Sequence, residues 1–175
     1  MARNSHGAER QLTPEQITAQ EVDRARALRC VELGTCQLLW YRKPDQYKPA
    51  KWHWQIGDVC DQIIADARAG ISSWWILEAP PRHGKSLLTS RIFPVWAMGR
   101  TPGLEVVCSS YSAELAADNS RAARMLARSD ECAEIFPALQ SGAEQRDLDQ
   151  VGKWQAGEST YTAVGVGGSL TGRGA

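Results

Sequence analysis

Three observations predict an α/β fold, with helices packed on a parallel sheet. Trp74-Trp75-Ile76-Leu77 and Leu104 to Cys108 are short, continuous apolar runs of the kind buried on both faces of such a sheet. Each run precedes helical periodicity: Leu87, Leu88, Ile92 and Phe93 follow the first, and Leu115, Ala116, Met125 and Leu126 follow the second. Between the first run and its helix lies Ala79-Pro80-Pro81-Arg82-His83-Gly84-Lys85-Ser86, which gives the order strand, loop, helix.

The elements follow in chain order. Thr13-Pro14-Glu15-Gln16 is a helix start, with Thr13 as cap, Pro14 in the first turn and Gln16 closing a capping box. Ile17, Val22, Ala25, Leu28, Val31 and Leu33 continue an amphipathic helix to about Gly34. Tyr41 to Pro49 is polar with two prolines and reads as a linker. A second helix is predicted from Trp52 to Ala69, with Ile56, Val59, Ile63 and Ile64 on one side and Gly70 as its stop. Pro94 is expected to kink or end the helix after the loop. Thr101-Pro102-Gly103 turns the chain into the second apolar run, and Ser112 caps one helical stretch that closes at Phe136-Pro137. After a polar loop around Gln140 to Gln150, Thr160 to Val166 alternates as a strand, and a glycine-rich end follows.

Composition narrows the function. The 175 residues carry 20 Lys+Arg and 20 Asp+Glu, so a zero formal charge excludes a histone-like basic protein. An apolar share of 43% suffices for one core and excludes a disordered chain. No apolar run approaches the roughly 20 residues that cross a bilayer, and Met1 to Arg10 is polar, so no membrane association and a cytoplasmic location are expected. The five cysteines are widely spaced without a CxxC pair and the three histidines are scattered, which reads as buried thiols and gives no zinc pattern.

Gly84-Lys85-Ser86 is the strongest chemical signal. A phosphate loop has the form G-x-x-x-x-G-K-[ST]: its backbone amides face the phosphates, its lysine bridges them and its hydroxyl holds Mg²⁺. Gly84, Lys85 and Ser86 fill the last three positions, while Ala79 stands where the first glycine belongs. Pro80 and Pro81 remove two amide donors, so anion binding falls to the amides of His83 to Ser86, the helix N-terminus and the Lys85 charge. Arg82 lies inside the loop, where its guanidinium could reach a γ-phosphate or simply be solvated. The acid that should end a later apolar strand to hold Mg²⁺ and orient water is not found: Asp118, Asp130, Glu131, Asp147 and Asp149 have helical or loop contexts.

Four ordered blocks resemble the ATPase half of the terminase large subunit of tailed bacteriophages. They are Pro80 to Ser86, Ser109 to Ala116, Arg121 and Arg124 with Phe136-Pro137, and Gly165 to Ala175. The resemblance spans roughly residues 50–175 and divides the chain into an N-terminal helical region and linker, 1–49, and a partial P-loop ATPase domain, 50–175. It implies an incomplete P-loop NTPase of the RecA-like, additional-strand type, with strand order 5-1-4-3-2. It also implies a motor that uses ATP and Mg²⁺ to package viral double-stranded DNA, as a homo-oligomeric ring working with the terminase small subunit and the portal protein. By matching position, Lys85 and Ser86 would bind phosphates and Mg²⁺, Arg82 would be the in-loop arginine, and Ser110 to Ser112 would lie near the nucleotide and DNA path. Arg173 resembles an arginine offered to a neighbouring subunit's nucleotide, and His53 and Gln55 are candidates for the adenine edge.

In that family the Gly-Arg-Gly-Ala block precedes a strand with paired acids, a coupling motif and a nuclease domain. This sequence stops at Ala175, so it is expected to represent the N-terminal part of the motor, inactive and marginally folded alone. Exposed strand edges would each cost about 1–3 kcal/mol per unpaired group. The competing readings are an inert prophage remnant that retains at most nucleotide binding, and another P-loop ATPase or small-molecule kinase. Arg121, Arg124 and Arg128 share a helix face that could track DNA phosphates or be balanced by Glu114 and Asp118.

Overall fold

Helix α1 (Thr35–Arg42) begins directly after Gly34, whose φ of +96° suits glycine. A side chain there would also strike the Asp61 carboxylate. The computed structural model describes residues 21, 34–42, 48–140 and 149–166. Most of the predicted Thr13–Gly34 helix and the glycine-rich end from Gly167, Arg173 included, lie outside the described residues. The linker expected from Tyr41 is helical through Arg42.

Helix α2 (Lys51–Arg68) confirms the second predicted helix, with Ile56, Cys60 and Ile64 buried at intervals of four. Its Asp61 joins three elements by accepting hydrogen bonds from the Thr35 amide (3.3 Å), the Thr35 hydroxyl (2.9 Å) and Trp96 Nε1 (3.1 Å). The helix after the loop starts at Lys85, widens into a π-helical stretch over Leu87–Ile92 and continues as α3 (Phe93–Arg100). The Phe93 amide bonds the Leu88 carbonyl five residues back, and Pro94 falls in the first turn of α3, where its missing donor is not needed. Pro94 therefore neither ends the helix nor stands free: it is buried among Val95, Trp96 and Met98.

Strand β1 (Glu105–Ser110) leads to α4 (Ala113–Ala127), which Ser112 caps by accepting from the Leu115 amide at 3.2 Å. The single helical stretch expected to reach Phe136 is two helices, because Ser129 caps α5 (Asp130–Ile135) through the Cys132 amide. A 3₁₀ turn at Pro137–Gln140 and strands β2 (Asp149–Gln150), β3 (Lys153–Ala156) and β4 (Ser159–Gly165) follow.

The sheet order is β1-β4-β3-β2, and the sheet is mixed where a parallel one was predicted. β1 and β4 are parallel, with Glu105 opposite Thr160 and Ser110 opposite Gly165. The two residues Gly157 and Glu158 join β3 to β4, a connection that permits only an antiparallel pair. Helix α4 packs on β4: Trp154 stacks on Tyr161 at 4.9 Å and donates to Ser120 Oγ at 2.9 Å. β4 ends hard against α4, where a Cβ on Gly165 would lie 2.5 Å from the Ala113 nitrogen.

Trp74-Trp75-Ile76-Leu77 is not a strand. Residues 71–80 carry no regular secondary structure and pair with no strand among the described residues, and Trp74 is 95% exposed and Ile76 93%. Trp75 and Leu77, at 53% and 36%, turn partly inward, so exposure keeps the period of two of an extended chain. A strand requires a neighbouring backbone to fill its hydrogen bonds, and among the described residues none flanks this run. Trp96 is buried as expected of a core tryptophan, whereas Trp74 and Trp75 are not. No helix among the described residues is long and apolar enough to cross a membrane.

Candidate phosphate-binding loop

Pro81 to Gly84 make a tight turn between the extended segment and the helix that begins at Lys85. Two residues of this turn are left-handed, Gly84 at φ +79° and Arg82 at φ +63°. For glycine this is free, but for arginine it is strained by roughly 1–2 kcal/mol. Alternation of left- and right-handed residues turns successive amides toward one side and forms an anion-binding concavity. Directly beyond it are the first-turn amides of the helix, which have no intrahelical acceptors, together with the positive end of its dipole. The first intrahelical bond runs from the Leu88 amide to the Gly84 carbonyl, 2.9 Å.

Beside the loop lies a cavity of about 940 Å³, at the upper end of the range of small-molecule sites. It is lined by α2, through Trp52, Gln55, Ile56, Val59 and Ile63, and by the segment from Trp75 to Pro80. Its floor carries His83, Lys85, Ser86, Thr89 and Ser90. The chain thus brings Lys85, Ser86, His83 and Gln55 around one space. Pro81, Arg82 and Gly84 belong to the turn itself and His53 stands beside it, and none of the four lines the cavity.

His53 has both ring nitrogens committed. Nδ1 accepts the Ala50 amide at 2.9 Å, and Nε2 donates to the His83 carbonyl at 3.2 Å, which fixes the neutral Nε2–H tautomer. No ring nitrogen remains for an adenine edge. Gln55, one turn into α2 and exposed, does line the cavity. Sequence reasoning passed over Glu78, Thr89 and Ser90, which also line it. For Glu78 the available signal was an acid at the end of an apolar run.

The acids considered for Mg²⁺ stand elsewhere. Asp118 pairs with Arg121, Asp130 and Glu131 start α5, and Asp149 accepts from Arg124 at 2.9 Å and Arg128 at 2.6 Å. The hydrogen bond from Arg128 holds the Asp149 carboxyl below its ordinary range, with the Arg124 charge adding to it. Each of the three arginines thus has a carboxylate partner, Asp118 for Arg121 and Asp149 shared by Arg124 and Arg128, which favours the balanced-face reading although one positive charge is left over. Asp147 lies outside the described residues. Ser110 to Ser112 do not line the cavity: Ser110 accepts the Val166 amide, Tyr111 is 80% exposed and Ser112 caps α4.

Burial pushes the Cys60 thiol up to about 12, with the Asp61 charge adding to it. Comparison with protein-family models, curated proteins and solved structures finds no match to this chain.

Proposed function

We propose that the loop from Pro81 to Ser86 binds the phosphates of a nucleoside triphosphate, with ATP as the nucleotide. The observation that carries this reading is the left-handed pair Arg82 and Gly84 placed immediately before a helix N-terminus that bears Lys85 and Ser86. Lys85 supplies the charge, the amides from His83 onward supply donors, and the cavity beside Gln55 and Trp52 has room for the base and ribose.

Mg²⁺ fits this arrangement as an ion that arrives with the phosphates. It prefers oxygen ligands, retains water and is commonly held by one or two protein groups plus phosphate oxygens. The exposed Ser86 hydroxyl is such a group, and among the described residues no cluster of three His, Cys, Asp or Glu side chains is placed to hold a metal alone. When bound, Mg²⁺ would neutralise phosphate charge.

Joined to the ordered sequence blocks, the loop supports a wider reading. The chain is the nucleotide-binding part of a terminase-like ATPase that packages double-stranded DNA, in a ring, with the small subunit and the portal as partners. Arg82 and Arg173 are the arginines assigned to the transferred phosphate, in the same subunit and in a neighbour. A second reading, nucleotide binding without turnover, is favoured by Asp118 and Asp149, which are paired with arginines away from the loop. Titration calorimetry of these 175 residues with Mg·ATP tests the core of the proposal. Saturable binding that Lys85→Ala weakens at least tenfold is expected, with no turnover above that variant; equal binding by both proteins would refute the assignment.

A further inference from the structure

His53 occupies the third position of α2, where a capping-box side chain reaches back to the N-cap amide. Its Nδ1 does so at Ala50, which leaves the opposite nitrogen aimed away from the helix and into the loop. There Nε2–H meets the carbonyl of His83, the residue between the two left-handed positions. His83 in turn donates Nδ1–H to the Pro81 carbonyl at 2.8 Å. These two bonds are anchored on either side of Arg82, so they hold the strained residue from both flanks. The Trp52 ring sits 3.6 Å from the His53 ring and 6.2 Å from that of His83, which closes the cluster.

We infer that His53 is a positioning residue that clamps the phosphate loop to the first turn of α2, so that the amides after His83 already face the anion before it arrives. This rests on the loop being a phosphate site. A strained turn persists only where its surroundings over-determine it, and preformed donors spare the ordering cost on binding. Without the Nε2–H donor, the His83 peptide is free to rotate, Arg82 can relax from the left-handed region, and the concavity is lost in the unbound state.

Two variants separate the halves of the ring. His53→Asn places an oxygen near Nδ1 and keeps the helix cap but cannot reach the His83 carbonyl; His53→Gln places a donor near Nε2 and keeps the clamp. The proposal predicts that His53→Asn weakens Mg·ATP binding about three- to tenfold, the worth of one hydrogen bond, while His53→Gln stays within about twofold of the parent. In the unbound protein, amide hydrogen exchange over residues 82–86 should accelerate in His53→Asn and not in His53→Gln. Unchanged loop exchange in His53→Asn, or affinities that follow thermal stability instead of the donor, would overturn the clamp. Loop exchange as predicted, with no Mg·ATP binding by the parent protein, would refute the phosphate site and with it the role assigned to the clamp.

Discussion

Two apolar runs of similar composition meet opposite fates. Val106, Val107 and Cys108 are fixed in β1, because β4 lies alongside and accepts the parallel register from Glu105–Thr160 to Ser110–Gly165. Trp74 to Leu77, equally apolar, has no flanking strand among the described residues and leaves two large side chains more than nine-tenths exposed. Apolarity alone sets a demand for burial; a strand forms where a second backbone fills the hydrogen bonds. β1 itself is half satisfied. The Leu104 and Ser110 carbonyls accept from Thr160 and Val166, so the even-numbered residues face β4, and the backbone groups of Glu105, Val107 and Ser109 face an edge that no strand among the described residues covers.

The largest effect that would sharpen this contrast is a pair of tryptophan substitutions followed by urea unfolding. Trp96 is 1% exposed and donates to Asp61, so Trp96→Ala should cost about 3–5 kcal/mol. Trp74→Ser should stay within about 0.5 kcal/mol, because almost nothing packs on that ring. A large loss from Trp74→Ser would show the extended segment to be as well packed as the core.

Asp61→Ala comes next. It strips the acceptor from the Thr35 amide, the Thr35 hydroxyl and the Trp96 indole, and should cost about 2–3 kcal/mol. Burial raises the Asp61 carboxyl above its ordinary 3.8, against the hydrogen bonds from Thr35 and Trp96 that lower it. The folded state therefore holds this proton more tightly than the unfolded chain. Its contribution to stability is full below about 3.8 and declines as pH rises through the raised value. Unfolding midpoints of Asp61→Asn across that window should lose this slope; an unchanged slope would assign it to another group.

The smallest effect is expected at the opposite end of the sheet. Asp149 is held below its ordinary value by Arg128 and Arg124, so its contribution is present above about 3.8 and lost as pH falls through the lowered value. The carboxylate is solvent-exposed, so Asp149→Asn should lower the melting temperature only slightly at low salt and not at all in about 1 M salt. A salt-independent loss would contradict a screened surface pair.

The sequence foretold what rests on local chemistry. The cap at Ser112, the turn at Gly103 and helix α2 with Ile56 and Ile64 on its buried side each rest on signals within a few residues, and each stands in the structure. The loop was legible from Gly84-Lys85-Ser86 because glycine, charge and hydroxyl adjoin in the chain. What depends on distant partners was not. The pairing of β4 with β1 spans more than fifty residues and the burial of Trp74 required a flanking strand that the described residues do not supply, whereas the break at Ser129 was missed although Ser129-Asp130-Glu131 is itself a local helix-start pattern. His53 looked like a ligand contact because sequence cannot show that its second nitrogen meets a carbonyl thirty residues away. Pro94 reads in the sequence as a kink or a helix end, and the wide turn that absorbs it leaves no compositional mark.

The most direct test of the central claim follows the backbone amides themselves, by ¹⁵N–¹H correlation spectra during titration with Mg·ATP. Large shifts are expected at Gly84, Lys85, Ser86 and Leu87, with small ones at Trp52 and Gln55 and none along β3. Shifts that begin elsewhere and leave those four amides unmoved would contradict a phosphate site at this loop.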